Sequence, residues 1–528
     1  MTSTAESPAP PPGTGAAADA APAYLSHRQI LTVMVGIMSG MMLAALDQSI
    51  VGTALPRIVS DLGGLDQLSW VVTAYLLTST AVVPLWGKIS DLYGRRLIFQ
   101  VAIGIFIVGS LLAGLSQDMT QLIIFRAVQG VGGGGLMSIA LAIIGDIIPP
   151  RDRGRYQGAF AAVFGISSVA GPLLGGFFTD GPGWQWIFYI NVPIGIAALV
   201  VTSMALRIPT VRRQHSIDYL GAALIVASVT SLILYLDWRG PDHGWTEAGA
   251  LALLAASVLL AALFVWAESR AKEPIIPLHL FRLSIFSLGN VFNALSGFAM
   301  FGGLVFLPLY LQAVQGMSPT VSGLAMLPAV VGIFITSIGS GQLISRTGRY
   351  KIYPIAGAAV LTVALLLLST VATGTPYWQI ALYSVLFGAG LGFTMQTVVT
   401  AIQNAVPRAD MGSATSASMF FRQMGAAVGT TVAGVVMSTQ LQNYLADSAP
   451  PGAAPASAEV DVNNIAAIQA LPEPVHGIVL DAFSGAIGDV FLFSAPFVVL
   501  SLIVAFFIKE IPLAQRQSPA DATAAAAH

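Results

Sequence analysis

The chain contains no cysteine, which excludes disulfides, thiolate nucleophiles and cysteine metal sites. Charge is almost as scarce. Asp, Glu, Lys and Arg make up 9% of the 528 residues, and a net charge of −2 offers no basic surface for nucleic acid. The Walker A pattern G-x-x-x-x-G-K-[ST] is absent, so the chain has no ATP-hydrolysing loop of its own. All six His residues fall in predicted loops or tails. With no His or carboxylate constellation at membrane depth, an enzyme is disfavoured and no metal is expected. Residues 1–26 are rich in Ala, Pro, Ser and Thr and lack the apolar centre of a signal peptide, so a disordered tail is expected there.

What the sequence has in excess is apolar length. At 55% hydrophobic residues and a mean hydropathy of +0.78, it reads as an all-α polytopic membrane protein. Runs long enough to span a bilayer cover about 31–55, 67–87, 97–117, 119–145, 156–179, 184–206, 217–236, 248–267, 284–312, 319–343, 351–371, 376–403, 411–440 and 488–508. Residues 283–345 and 352–407 carry no charge, so each must hold two helices joined by a neutral turn. Cytoplasmic loops collect Lys and Arg. With fourteen spans and both termini inside, nineteen of the twenty-three basic residues fall on one side, and only Arg57 and Arg239 lie outside. Adding or dropping a central helix reverses every later loop and destroys that asymmetry, so fourteen transmembrane helices are predicted.

The segment GKISDLYGRR (87–96) returns, degraded, as GQLISRTGRY (341–350), 254 residues later. Gly158, Gly171 and Gly175 find counterparts in Gly412, Gly425 and Gly429 at the same offset. Two matches at one offset indicate an internal duplication of the kind that builds transporters from two halves. The expected organisation is an N-terminal six-helix bundle (27–207), an inserted pair of helices 7 and 8 with their linkers (208–282), and a C-terminal six-helix bundle (283–510). A long extracellular loop is expected at 441–487 and a disordered tail at 511–528.

Within the apolar stretches, ionisable residues are costly and are functional candidates by default. Asp47 stands in the first span and Arg126 in the fourth. Counting ~1.5 Å per residue from the outer ends puts both at similar depth, which makes an ion pair possible and gives the arginine the partner it needs. Removal from water disfavours a charged carboxylate and a nearby arginine favours it; the opposition suits a group that must gain and lose a proton. No carboxylate is expected in spans 9 to 14. Arg422 in helix 13, without an acidic partner in its half, is read as structural, capping backbone carbonyls or snorkelling, with contact to an anionic ligand as the alternative. Asp146 and Glu268, near span ends, are read as gate or topology elements. The glycines from Gly130 to Gly135 match G-x-G-x-x-G, but no strand precedes them, so nucleotide binding is not expected.

Several of these segments resemble the major facilitator superfamily. GKISDLYGRR is similar to its cytoplasmic signature, which implies an inner gate of Asp91, Gly94, Arg95 and Arg96, with Asp91 meeting a helix N-terminus or an arginine when the inner side is closed. Gly94 is expected to take a positive φ where the chain reverses. LIIFRAVQGVGGGG (122–135) resembles the helix-4 motif whose arginine is linked to proton transfer. FGISSVAGPLLGGFF (164–178), with Gly165, Gly171, Pro172, Gly175 and Gly176, resembles the motif of the superfamily's antiporters. LDQSIVGTALP (46–56) and GWQWIFYINVPIG (183–195) resemble segments of the fourteen-helix drug:proton antiporter branch.

The resemblance implies two halves rocking about a central cavity and a proton gradient as energy source, with no cofactor. Candidate cavity residues are Gln48, Gln129, Asn290, Asn293, Gln396 and Arg422. The expected function is export of lipophilic neutral or cationic small molecules, by a monomer in the cytoplasmic membrane. One deep carboxylate implies one proton per cycle. A neutral substrate then gains ~2.3 kcal/mol per 100 mV, a monocation gains nothing from voltage, and a dication is opposed by it. Alternatives are an exporter or flippase of a dedicated metabolite or lipid and, from another class, a non-transporting sensor.

Overall fold

The computed structural model describes residues 27–63, 67–148, 150–153, 156–206, 218–237, 247–447, 468–469, 471–472 and 474–513. The tail 1–26, most of the loop after residue 447 and the tail from 514 lie outside the described residues. The N-terminal half consists of α1 (His27–Leu62), α2 (Leu68–Tyr93), α3 (Arg95–Gly114), α4 (Met119–Ile147), α5 (Gln157–Asp180) and α6 (Trp186–Ala205). Next comes a hairpin, α7 (Tyr219–Asp237) and α8 (Ala248–Glu268). The C-terminal half consists of α9 (Ser284–Ala313), α10 (Thr320–Thr347), α11 (Ile352–Leu368), α12 (Tyr377–Ala405), α13 (Met411–Asp447) and α14 (Val475–Phe507). Among the described residues, twelve of these helices are long and apolar enough to cross a membrane, and α11 is a shorter apolar helix.

Each half is built the same way. In the first, α4 lies between α2 and α3 and α1 packs on α5 and α6; in the second, α12 lies between α10 and α11 and α9 packs on α13 and α14. Close approach needs small residues. A methyl group on Gly132 would meet the backbone of Ala102 and Phe106 in α3, and one on Gly134 would meet Ser79 in α2. The glycine run is thus a packing surface shared by two neighbours. Thr78 Oγ1 donates to Ala127 O at 2.8 Å across α2 and α4, and Thr336 Oγ1 repeats the contact to Ala389 O at 3.0 Å across α10 and α12.

The halves meet along two seams, α2 with α13 and α5 with α10. Gly171 lies against Ser49 of α1, while Gly165 lies against Val330 and Phe334 of α10. The antiporter-like glycine motif therefore serves both a packing contact within one half and a seam between halves. Gly176 has open space beside it, Gly175 O accepts from Thr179 at 2.8 Å, and the side chain of Pro172 lies outside the described residues. Helix α7 packs over the α2/α13 seam and α8 packs on α7. Only 11% of the apolar window of α8 is buried, which leaves Leu251, Val258 and Leu259 facing outward.

Three boundaries differ from expectation. The stretch 441–487 is not all loop: α13 runs to Asp447 and α14 begins at Val475, which also brings His476 into a helix. At ~1.5 Å per residue α13 and α14 are ~55 and ~50 Å long, well beyond a ~30 Å hydrocarbon core. Their extra turns hold polar residues that mask the helices from hydropathy alone. The tail beyond 510 starts packed: Leu513 is buried, and Pro512 O accepts from Asn404 Nδ2 at 3.3 Å. Glu510 Oε1 accepts the N–H of Tyr350 at 2.9 Å and of Lys351 at 3.3 Å, at the start of α11. Burial pushes the Tyr350 phenol above its ordinary range, and its oxygen accepts the Ile511 N–H at 2.9 Å.

Candidate functional site

Asp47 of α1 is fully buried, and so, within 1%, is Arg126 of α4. Arg126 Nη1 donates to Asp47 Oδ2 at 2.6 Å. The other carboxylate oxygen, Oδ1, accepts from Gln129 Nε2 at 2.8 Å and from Asn191 Nδ2 at 3.0 Å. Gln129 Oε1 in turn accepts from Arg126 Nη1 at 2.7 Å, and Arg126 Nε donates to Val71 O at 3.2 Å. The guanidinium lies 4.4 Å from the centre of the Tyr75 ring and 5.8 Å from that of Phe188, where ring faces attract cations. Five helices, α1, α2, α3, α4 and α6, close around one ion pair. A buried pair survives only when its remaining donors and acceptors are satisfied, and here they largely are.

Helix periodicity explains the set. Arg126 and Gln129 are three residues apart in α4, so both face α1. Asn191 opens the longer segment of α6 and gives its second N–H to Ser110 Oγ at 2.9 Å, which itself donates to Phe188 O at 2.8 Å. Neither Asn191 nor Ser110 is singled out by sequence; the signal available was that Asn191 is one of two amides, with Gln185, in the quoted segment 183–195. Gln129, expected to line the cavity, is instead wholly buried on Asp47, because its amide is held by both members of the ion pair. Gln48, the neighbour of Asp47, is exposed.

A second cluster lies at the end of the bundle where the basic loops gather. Gly94 has φ 97° in the turn from α2 to α3, the conformation expected for it. Arg95 Nη2 meets Asp91 Oδ1 at 2.5 Å, its Nε meets Asp146 Oδ2 at 2.7 Å, and its Nη1 donates to Ser90 Oγ at 2.6 Å. Asp91 Oδ2 accepts the backbone N–H of Ser413 at 3.0 Å, in the first turn of α13, where unpaired N–H groups favour a carboxylate. Asp91 thus meets both a helix N-terminus and an arginine. Arg96 faces away, donating to Ser203 O at 2.7 Å.

Two more contacts join the halves at this end. Gln403 Nε2 donates to Leu141 O at 3.2 Å, and Arg153 Nη1 donates to Gln403 Oε1 at 2.9 Å. Gly87 of α2 lies directly against Gly412 and Ser416 of α13. This end of the bundle is closed.

The remaining candidates are dispersed. Asn293 Nδ2 donates to Ser418 Oγ at 2.7 Å, while both side-chain polar atoms of buried Asn290 lack a partner. Gln396 is half-buried, and its backbone carbonyl accepts from Thr400 Oγ1 at 2.9 Å. Arg422 Nη1 points at Met395 O at 3.4 Å, the carbonyl contact expected of a structural arginine. Glu268 Oε1 and Oε2 accept the N–H groups of Ile275 and Ile276, each at 3.2 Å, which makes it a turn-holding residue.

The expectation that the second half lacks a membrane carboxylate is corrected. Asp489 lies within α14, accepting from Gln440 Nε2 at 2.7 Å and from Tyr444 Oη at 3.1 Å. It sits ~27 Å along the helix from Phe507, near the far edge of a ~30 Å core. Asp489 is the second residue of the expected span 488–508, where a charge at the very start of an apolar run reads as its boundary.

The fold is that of a polytopic helical membrane protein built from two similar halves. Residues 37–430 match the sequence model of the Major Facilitator Superfamily, and the chain belongs to that superfamily. It is 42% identical over 491 residues to an uncharacterized MFS-type transporter of Mycobacterium tuberculosis, covering 93% of this chain and 71% of that one. It is 35% identical over 517 residues to the multidrug transporter protein MdtP of Bacillus subtilis, covering 93% and 95% of the two chains. The human organic anion transporter MFSD10 shares the fold, with a TM-score of 0.61 at 15% identity over 90% of this chain and 99% of that one. The chain is therefore a multi-pass transporter and not an enzyme.

Proposed function

We propose that this transporter is a fourteen-helix proton-coupled antiporter that exports lipophilic neutral or cationic small molecules, drugs and antibiotics among them, by alternating access. The observation that carries the reading is the fully buried Asp47–Arg126 pair, an expensive arrangement in a membrane unless it works. The similarity to a multidrug transporter supports the substrate class. In this reading the basic end is cytoplasmic, both termini are inside, and the structure corresponds to the inward-closed state. Protonation of Asp47 loosens its hold on Arg126, Gln129 and Asn191, and the halves rock; substrate entering from the inside returns the proton. The protein works as a monomer in the cytoplasmic membrane, without cofactor.

In this reading Asp489 lies at the outer edge of the core, so among the described residues Asp47 is the one deep carboxylate, and one proton moves per cycle. The test is substrate-induced proton release from proteoliposomes, for wild type and Asp47→Asn, over neutral, singly charged and doubly charged lipophiles. Wild type is expected to respond to the first two classes and Asp47→Asn to none. A fully active Asp47→Asn protein overturns Asp47 as proton carrier. Robust dication export driven by voltage overturns the one-proton stoichiometry.

A further inference from the structure

The inserted hairpin lies outside the two clusters, yet its exit segment touches both sides of the closed end. Glu273 takes Lys88 Nζ of α2 at 2.7 Å. Six residues later, His279 Nε2 lies 3.2 Å from Asp410 Oδ2, immediately before α13. These anchors bracket the gate contact. Lys88 is three residues before Asp91, and Asp410 is three residues before Ser413, whose N–H Asp91 receives. Each anchor therefore sits about one helical turn from the point where α2 and α13 meet.

The segment between the anchors is packed. Glu268 holds the N–H groups of Ile275 and Ile276. Ile275, Ile276 and Leu280 are buried at 3%, 4% and 0% exposure, within the main apolar core. Residues Leu278–Arg282 form a 3₁₀ turn, and Phe281 stacks edge-on against Phe421 of α13, ring centres 6.3 Å apart. Six residues span at most ~20 Å when fully extended, and this segment is folded. It has little slack to follow α2 and α13 if they part.

The geometry points to segment 268–282 as a third component of the inner gate, a strap across the α2/α13 seam, with Glu273 and Asp410 as positioning residues for the closed state. The inserted helices thereby gain a role: α7 lies over the same seam and α8 delivers the strap. The inference rests on the alternating-access part of the proposed function and not on proton coupling.

The test reads gate conformation directly in the full chain. Spin labels are placed through Tyr93→Cys and Thr347→Cys, both exposed at the basic end of opposite halves, and the distance distribution is measured in lipid nanodiscs. Short distances are expected to dominate in the parent. Glu273→Gln, which removes an ion pair, and Asp410→Ala, which removes the acceptor facing His279, are each expected to raise the long-distance to short-distance ratio roughly two- to five-fold, the range for partly exposed pairs, and the double variant more. Lys88→Glu combined with Glu273→Lys is expected to restore the parent ratio. A double variant with the parent distribution overturns the strap, as does a charge swap that stays as shifted as Glu273→Gln. If the labelled parent releases no protons with substrate but its distances respond as expected, proton coupling fails and the strap stands.

Discussion

Arg126 gathers three acceptors at once: Asp47, Gln129 and the Val71 carbonyl. They are reached from two nitrogens of one rigid plane, Nη1 and Nε, whereas an ammonium holds its three donors on a single atom and cannot reproduce that spread. Arg126→Lys is therefore expected to keep the charge and fold but to lose substrate-induced proton release, measured in proteoliposomes. Arg126→Ala leaves Asp47 buried without its counter-charge, at a cost of about 3–5 kcal/mol, and is expected to melt well below Arg126→Lys in detergent. At this scale the ionisable members were legible in the sequence, because a charge in an apolar run stands out by its cost. Asn191 and Ser110 were not. A neutral polar residue costs so little in a helix that only the fold shows it is aimed at Asp47.

Helix packing sets a sharper test for the glycines. A methyl at position 134 would press on the Ser79 backbone, whereas one at Gly104 meets open space. Gly134→Ala is expected to lower the thermal midpoint through displacement of α2 from α4. Gly104→Ala is expected to raise it, since Ala favours a helix by about 1 kcal/mol over Gly. Equal effects would remove the packing account of the glycine run. The spans themselves were readable from apolar length, and the turn at Gly94 from its neighbours. The start of α14 was not, because Asp481 and Asp489 depress the hydropathy of turns that lie outside or at the edge of the lipid. Similarly, the last packed residues, 511–513, are held by Asn404 and Tyr350, partners too distant in sequence to foresee.

For the molecule as a whole, the closed end is a balance of a few contacts between halves. Asp91→Asn weakens the contact with both Arg95 and the α13 N-terminus. In a Ser416→Cys background, where the thiol is buried at the seam, it is expected to accelerate labelling by a membrane-impermeant maleimide several-fold when the reagent has access to the basic end. An unchanged rate would show that Asp91 does not hold that end shut. The two-half plan was visible in the repeated loop segment. The placement of the inserted pair was not, because helices without a counterpart in the repeat carry no internal reference for where they dock. That placement has a physical consequence. An apolar helix held by protein on one side only, as α8 is by α7, meets a change in hydrocarbon thickness by tilting, and α8 leads straight into the strap. Acyl-chain length thus becomes an input to the gate: the Tyr93→Cys/Thr347→Cys distances should drift between thin and thick bilayers in the parent, and drift less once Glu273 and Asp410 are neutralised.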